Sequence, residues 1–186
     1  PALLVANEFF DALPVRQFAV AADGWAERVI GLAEDGALAF GLRPVGNSEA
    51  GALRVTAPQE GGAAGAICEV SPASTAIAGT IAAHLSRNGG AALVIDYGYE
   101  GPAIGETLQA VARHRYVDPL ESPGEADLTA HVDFATLAPI AQSRGCRWLG
   151  TIPQGRWLRN LGIDARAQTL GQAAPQHAVA IESAKE

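Results

Sequence analysis

The sequence predicts an α/β fold organised around a doubly wound, mainly parallel sheet. Residues 3–6 and 91–95 are apolar at every position, which is typical of parallel strands that are covered on both faces. Residues 66–70 form a short strand pattern that runs into a helix and then into the strand at 91–98. This strand, helix, strand order is typical of a doubly wound sheet.

Residues 16–65 interrupt that pattern and predict an inserted antiparallel β meander. Short runs of alternating apolar and polar residues are separated by Asp-Gly pairs at 23–24 and 35–36, which are strong turn signals between extended segments. Residues 46–65 are rich in Gly, Ala and Glu without periodicity. We therefore expect a surface loop there, with an edge segment at 53–55.

Start and stop signals place the helices. Ser71 followed by Pro72 is a strong helix start, and Gly89 is a strong stop, so we predict a helix from Pro72 to Asn88. Asp133 can cap a second helix over 134–143. Further along the chain we predict a strand at 146–152 and helices at 154–161 and 164–172.

Residues 99–127 carry several glycines and prolines, interrupted by one helical turn at 107–115. A long, irregular, polar segment inside a compact domain is more often a lid or a binding loop than a simple connection. We therefore predict a lid-like loop over 99–127, and a single domain over residues 1–186.

Composition narrows the functional classes. The chain has 186 residues, is 48% hydrophobic and has a formal net charge of −7. The basic residues are scattered singly, which argues against nucleic acid as a partner. The apolar stretches are far shorter than a membrane helix needs and no leader pattern opens the chain, so we expect no membrane partner and a cytoplasmic location. Cys68 and Cys146 lack metal-ligand spacing, so no metal is expected.

The first candidate site follows the opening strand and consists of Asn7, Glu8 and Asp11. Ligands of open α/β sheets bind at the carboxyl ends of the strands. Carboxylates at such a partly dry edge are costly unless they are paired or used. They could hold a cationic substrate or accept a proton, and the alternative is that Asn7 or Asp11 only caps the next turn.

Asp96, Tyr97 and Gly98 occupy the same position on the strand at 91–98. If the two strands are neighbours, Glu8 and Asp96 open into one crevice, and Gly98 lets a backbone approach a ligand closely. The alternatives are that Asp96 is a structural cap and that Tyr97 belongs to the edge of the core.

Residues 127–133 form the third candidate. Alternation places their polar side chains on one side of an extended segment, namely Asp127, Thr129, His131 and Asp133. An imidazole between acids suits a proton acceptor, although a structural hydrogen bond of His131 is an equal alternative. The ligand set is thin for a metal.

Four segments together resemble the MidA family of S-adenosylmethionine-dependent methyltransferases, namely residues 7–15, 69–72, 89–98 and 123–134. Mitochondrial members of that family are protein-arginine methyltransferases needed for the assembly of respiratory complex I. The likeness runs in the right order from Pro1 to about Leu170.

The resemblance implies that Asn7 and Glu8 lie where the methyl donor meets the acceptor, so that Asn7 contacts the cofactor. Glu8 would hold or deprotonate a guanidinium, because a carboxylate can pair bidentately with that planar group. His131 would join them as a catalytic residue. The remaining acidic and aromatic residues would bind substrate, namely Asp11, Asp96, Tyr97, Asp127 and Asp133. The implied partner is a protein with an arginine acceptor, and a homodimer is left open.

The sequence departs from the family pattern because it shows no Gly-rich loop after a first strand and no acidic residue after a second, which together hold the donor. We therefore expect the carboxyl-side portion of an incomplete methyltransferase-like sheet. Such a chain would bind S-adenosylmethionine weakly or not at all unless the other half is supplied. The alternative is a non-enzymatic interaction or assembly factor. An unrelated hydrolase built on Glu8, Asp96 and His131 is a distant third, since no nucleophile is identifiable.

Overall fold

A computed structural model describes residues 1–21, 24–52, 64–101 and 104–183. They form two compact units, Pro1–Trp148 and Leu149–Glu186, whereas the sequence predicts one domain. The predicted edge segment at 53–55 lies outside the described residues. Among the helices of the described part, none has the length and apolar character needed to cross a bilayer.

The first unit is a mixed α/β structure, which confirms the predicted class. Its strands are β1 (Ala2–Asn7), β2 (Arg16–Ala21), β3 (Gly24–Leu32), β4 (Leu38–Pro44), β5 (Ile67–Val70), β6 (Gly90–Ile95), β7 (Gly98–Tyr99), β8 (Gln109–Ala112), β9 (Arg115–Val117), β10 (Asp127–Thr129) and β11 (Val132–Asp133). Its helices are α1 (Asn47–Ala52), α2 (Pro72–Asn88) and α3 (Phe134–Ser143). The second unit contains α4 (Gln154–Asn160), α5 (Ile163–Ala173), a 3₁₀ turn at Pro175–His177 and α6 (Ala178–Ser183).

Strands β1 and β6 pair in parallel, with Leu3 opposite Ala91 and Asn7 opposite Ile95. One face of this pair carries Leu4, Ala6 and Val94 into the core, where side chains from α2 and α3 cover it. The other face is open, since Leu3 is 89% exposed and Val5 is 67% exposed. The prediction that both faces are covered is therefore wrong for the described chain, because α2 and α3 pack on one side only.

The sequence analysis expects β5 to join the parallel pair of β1 and β6, but it does not. It pairs antiparallel with β2, and the two extend the predicted meander into a four-stranded sheet of order β4-β3-β2-β5. Of the described strands, only β1 with β6 and β7 with β11 are parallel. A short extended pattern such as residues 66–70 predicts a strand but does not identify its partner, so this pairing is not revealed by the local sequence.

The meander is stabilised by an ion-pair network around the buried Glu27 on β3. Its carboxylate accepts a hydrogen bond from Arg16 at 2.5 Å and a second one from Arg43. Arg16 also binds Glu49 on α1 at 2.9 Å. The hydrogen bond from Arg16 lowers the pKa of Glu27 to about 2, against the opposing effect of burial. Glu27 is therefore ionised wherever the protein is folded near neutral pH.

The lid-like loop contains an antiparallel sheet of order β10-β8-β9, and the helical turn predicted at 107–115 is absent from it. Ala112 pairs with Arg115, which leaves Arg113 and His114 as a two-residue turn with φ of 51° and 62°. Positive φ at both central residues is the geometry of a type I′ hairpin. Arg-His lacks the Asn-Gly or Asp-Gly signal of such turns, so the sequence does not reveal it.

The predicted helices form as their signals indicate. Helix α2 has Ser71 as its N-cap, which accepts a hydrogen bond from the backbone of Ser74, and Gly89 at its C-cap with φ of 73°. Helices α3, α4 and α5 begin and end within a residue or two of the predicted bounds. The strand predicted at 146–152 does not form, and the boundary between the two units falls within that segment.

Candidate functional site

The carboxyl ends of β1 and β6 bring two of the predicted site segments together. Because Asn7 pairs with Ile95, Glu8 and Asp96 leave neighbouring strands at the same edge. The backbone nitrogen of Glu8 donates to the carbonyl of Ile95 at 2.9 Å, which continues the ladder by one step. We call the group formed by Asn7, Glu8, Asp11 and Asp96 the acidic edge.

Glu8 adopts an unusual backbone conformation at this edge. Its φ is 46°, which lies in the left-handed region that residues other than glycine and asparagine seldom adopt. Its side chain is exposed, and the described residues offer it no ion pair. Strained backbone of this kind concentrates at functional sites, where the surrounding structure holds it. Glu8 thus combines a strained backbone with an exposed side chain at the end of β1.

Asp96 ties the two strand ends together. Its Oδ2 accepts hydrogen bonds from the backbone nitrogens of Phe10 at 2.9 Å and Asp11 at 3.3 Å, and its Oδ1 accepts one from Tyr97 at 2.9 Å. Asp96 thus acts as a structural cap, which is one of the two roles that the sequence analysis leaves open for it. Burial raises its pKa most, and the nearby charge of Asp11 raises it further, while the backbone hydrogen bonds oppose the rise.

Asp11 is only 6% exposed. Its Oδ1 is buried and has no hydrogen-bond partner among the described residues. A buried carboxylate oxygen without a partner is costly. The Asp11 and Asp96 carboxylates therefore form an acidic pair that no cation of the described chain neutralises.

The segment from Ala130 to Val132 lies against this edge through its backbone. Three successive nitrogens donate to three different elements: Ala130 to the carbonyl of Asp11 at 2.9 Å, His131 to Thr107 Oγ1 at 2.8 Å, and Val132 to the carbonyl of Tyr97 at 2.8 Å. Ala130 and Val132 are buried, whereas His131 is exposed. The His131 imidazole is therefore held by a fixed backbone and points out of the core.

The other predicted substrate-binding residues have different surroundings. Asp133 caps α3, accepting hydrogen bonds from the backbone of Ala135 at 3.0 Å and from the hydroxyl of Thr136 at 2.6 Å. Asp127 is exposed at the start of β10, opposite Val111. Tyr97 is 61% exposed, so it is not part of the core edge.

Gly98 is needed for the close packing of β7 against β11. A Cβ added there would lie 2.2 Å from the carbonyl oxygen of Val132 and 2.7 Å from the ring of Phe134. The close approach that the sequence analysis expects thus involves β11, which pairs with β7 at this position.

Glu69 and Thr107 are functional candidates that the sequence analysis did not identify. Glu69 on β5 accepts hydrogen bonds from Gln17, Thr107 and Leu108, and Thr107 in turn accepts the one from His131. Glu69 stands in one of the four segments that carry the resemblance, but nothing local shows that its partner lies so far along the chain.

The half-buried Tyr99 and the buried Cys68 lie near the carboxylates of Glu69 and Asp133. Burial raises the pKa of Tyr99 to about 12, with further contributions from the charges of Asp133 and Glu69. Burial also raises the pKa of the Cys68 thiol, so this thiol is an unreactive core group. Both cysteines are free. Within the described ranges, no group of three or more His, Cys, Asp and Glu side chains is arranged to hold a metal ion.

A cavity of about 730 Å³ lies within the lid-like loop, lined by residues between Ala112 and Ala126. It contains none of the predicted site residues. The chemistry of the fold is concentrated at the strand ends, so we assign the candidate site to the acidic edge and the segment around His131.

Comparison with known proteins places this geometry in a family. Residues 1–152 match a family model described as "putative S-adenosyl-L-methionine-dependent methyltransferase". The protein arginine methyltransferase NDUFAF7 homolog, mitochondrial, of Caenorhabditis elegans is 35% identical over 170 residues, which cover 91% of this chain and 39% of that protein. Its Drosophila melanogaster counterpart is 36% identical over 188 residues, which cover 99% of this chain and 43% of that protein.

A solved structure shows the same fold. The crystal structure of a likely methyl transferase from Burkholderia thailandensis, bound to S-adenosyl-homocysteine, superposes with a TM-score of 0.82 at 31% identity. The match covers 99% of this chain and 48% of that one. The chain thus spans roughly two fifths to one half of the length of the relatives it matches.

The comparisons correct the predicted location and confirm the predicted family. The curated relatives are named mitochondrial, which contradicts the cytoplasmic location predicted from the sequence. The resemblance to the MidA family is confirmed by the family model and by relatives at about 35% identity. The chain therefore belongs to this family of S-adenosyl-L-methionine-dependent methyltransferases.

Proposed function

We propose that this chain carries the acceptor side of a protein-arginine methyltransferase and that the acidic edge binds the arginine. The observation that carries the proposal is the convergence of Glu8, Asp11 and Asp96 at one strand edge with no cationic partner among the described residues. The arginine methyltransferase names of the relatives support arginine as the acceptor.

The charges at this edge fit the reaction. The sulfonium of the methyl donor and the guanidinium of arginine are both positive, so bringing them together is unfavourable in a partly dry site. Carboxylates at the meeting point offset that repulsion. Glu8 is the best placed to bind the guanidinium, because its carboxylate is exposed and can form two parallel hydrogen bonds with the planar group.

Arginine keeps its proton near neutral pH, so Glu8 acts chiefly by orientation. A carboxylate that fixes the guanidinium plane holds one nitrogen in line with the donor methyl, and alignment of this kind supplies a large part of the rate. The proton leaves late, and Glu8 is proposed to accept it. The exposed His131 is proposed to complete the acceptor pocket beside Glu8, where it helps to hold the arginine and receives that proton or passes it to solvent.

The donor fits the same edge. S-adenosylmethionine supplies the methyl group when bound, and its cationic sulfur suits a site with unneutralised carboxylates. Asn7 is exposed at the end of β1 and can donate and accept hydrogen bonds. We therefore propose that it is the residue of this chain that contacts the methyl donor. Tyr97 presents an exposed ring that can stack on a guanidinium. Asp127 and Asp133 stay predictions as substrate contacts.

The proposal is tested by arginine binding to the 186-residue chain. Nα-acetyl-arginine N-methylamide is titrated into ¹⁵N-labelled protein, and the lysine analogue serves as the reference ligand. We expect shifts of the Asn7, Glu8 and His131 amides with arginine, and affinity about tenfold lower in Glu8→Gln, because a charge-assisted hydrogen-bond pair is lost. Glu34→Gln, the same charge change in the exposed turn between β3 and β4, is the matched control.

Equal affinity of the wild-type chain and Glu8→Gln for arginine would contradict the assignment of Glu8. Methyl transfer from tritiated S-adenosylmethionine to an arginine peptide, measured in a longer protein that supplies the other half of the sheet, provides the second measurement. Unchanged transfer by Glu8→Gln with donor binding retained would also exclude it. A chain that shows no arginine preference at any concentration would favour the non-enzymatic assembly factor instead.

A further inference from the structure

Glu69 collects hydrogen bonds from two separate parts of the first unit. Its Oε1 accepts from Gln17 Nε2 at 2.8 Å, from the Thr107 nitrogen at 3.1 Å and from the Leu108 nitrogen at 3.1 Å. Its Oε2 accepts from the hydroxyl of Thr107. A single carboxylate thus fixes residues 107–108 of the lid-like loop to the end of β5.

The Thr107 hydroxyl passes this constraint to the candidate site. An ionised carboxylate can only accept, so the hydroxyl proton must point to Glu69, and its lone pairs are left for a donor. That donor is the backbone nitrogen of His131 at 2.8 Å. The hydrogen bonds therefore run without a gap from Glu69 through Thr107 to His131.

The two neighbouring nitrogens are held independently of this path. Ala130 donates to the carbonyl of Asp11, which belongs to the acidic edge, and Val132 donates to the carbonyl of Tyr97, which follows Asp96 in the chain. Loss of the Thr107 hydroxyl would release the His131 nitrogen while its neighbours stay bound. The path from Glu69 therefore adjusts His131 locally instead of holding the whole segment in place.

We propose that Glu69 is a positioning residue that sets the place of His131 at the acceptor site through the hydroxyl of Thr107. The inference rests on the proposed function, because it gives the His131 segment a part in holding the acceptor. It also links the lid-like loop to the site, since the same carboxylate binds the backbone of Thr107 and Leu108 within that loop.

The test compares Thr107→Val, which removes the hydroxyl at nearly constant volume, with Thr107→Ser, which keeps it. Thr80→Val on α2 is the matched control, because its hydroxyl donates a hydrogen bond to the carbonyl of Ala76 at 3.0 Å and has no bond to His131. Glu69→Gln is a second variant. Its amide oxygen can still accept hydrogen bonds from the backbone nitrogens of Thr107 and Leu108, but its NH₂ group then faces the Thr107 hydroxyl and cannot accept a hydrogen bond from it.

Two quantities are measured in each variant of the 186-residue chain: amide hydrogen exchange at residues 130–132, and affinity for Nα-acetyl-arginine N-methylamide. In Thr107→Val we expect exchange at His131 to rise and arginine affinity to fall about three- to tenfold, the range that one hydrogen bond supports. Exchange at Ala130 and Val132 should stay as in the wild type. Thr107→Ser should restore both quantities, and Thr80→Val should change neither.

Unchanged exchange at His131 in Thr107→Val overturns the proposed path. A rise in exchange with wild-type arginine affinity shows that the path exists but does not position the acceptor, which also overturns the proposal. If the wild-type chain itself fails to bind arginine, the proposed function fails, while the exchange data still decide whether Glu69 controls His131. General unfolding is recognised by increased exchange at all three residues, and Glu69→Gln then decides: exchange that rises at His131 alone supports the path, and unchanged exchange at His131 overturns it.

Discussion

The Asp96 carboxylate accepts a hydrogen bond from the backbone nitrogen of Phe10 at 2.9 Å, so the residue that follows β6 holds the turn that follows β1. Phe10 is only 3% exposed and belongs to the core. The acidic edge is thus connected directly to the packing of the first unit. A residue in the candidate site is at the same time part of what stabilises the fold.

Replacement of Asp96 should therefore cost stability as well as function. Asp96→Ala removes the acceptor of the Phe10, Asp11 and Tyr97 nitrogens, and we expect the free energy of unfolding to fall by about 1–3 kcal/mol. Asp96→Asn keeps one acceptor oxygen and should cost less. Asp35→Ala, which removes a similar but exposed turn bond to Ala37, is the control in chemical denaturation. Equal losses for Asp35→Ala and Asp96→Ala would contradict this assignment.

Gly98→Ala should be more damaging than its small size suggests. The added Cβ would lie 2.2 Å from the carbonyl oxygen of Val132, so β7 and β11 would have to separate, and overpacking of this kind costs about 1–3 kcal/mol or more. Gly41→Ala on β4, where a Cβ meets nothing within 4 Å, should be nearly neutral. Thermal unfolding of both variants checks this, and similar midpoints for the two would refute it.

Local signals in the sequence were sufficient for most helices. The Ser71-Pro72 start and the Gly89 stop define α2 because capping depends on residues within one turn of each other. The same holds for Asp133 and α3. The neighbouring positions of Glu8 and Asp96 were also predictable, because two apolar runs that end in polar residues pair side by side in a parallel sheet.

Contacts between distant segments could not be predicted in this way. The pairing of β5 with β2 and the bond from Thr107 to Glu69 depend on tertiary structure that no local pattern encodes. The hairpin at Arg113 and His114 uses residues that rarely adopt positive φ, so its turn carried no signal. The homodimer and the substrate contacts of Asp127 and Asp133 stay predictions.

The Glu27 network should make part of the stability depend on pH. Its folded pKa of about 2 is below the ordinary value of 4.5, so the unfolded chain binds the proton more readily. The stabilisation is therefore present above about pH 5 and is lost as the pH falls towards 2. Glu27→Gln should lower the free energy of unfolding by about 1–3 kcal/mol at neutral pH. Denaturation at several pH values should show that this difference shrinks in acid, and a constant difference would exclude the mechanism.

Glu8→Gly should separate stability from function at the acidic edge. Glu8 holds a φ of 46°, and a left-handed conformation costs a residue with a side chain about 1–2 kcal/mol. Glycine adopts that conformation freely but adds freedom to the unfolded chain, worth about 0.5–1 kcal/mol in the opposite direction. We therefore expect the glycine variant to be as stable as the wild type or slightly more stable, while arginine affinity falls as in Glu8→Gln, which keeps the strained backbone. Denaturation and the arginine titration measure the two effects.

Marked destabilisation of the glycine variant would show that the Glu8 side chain supports the fold, and retained arginine affinity would show that its carboxylate does not bind the acceptor.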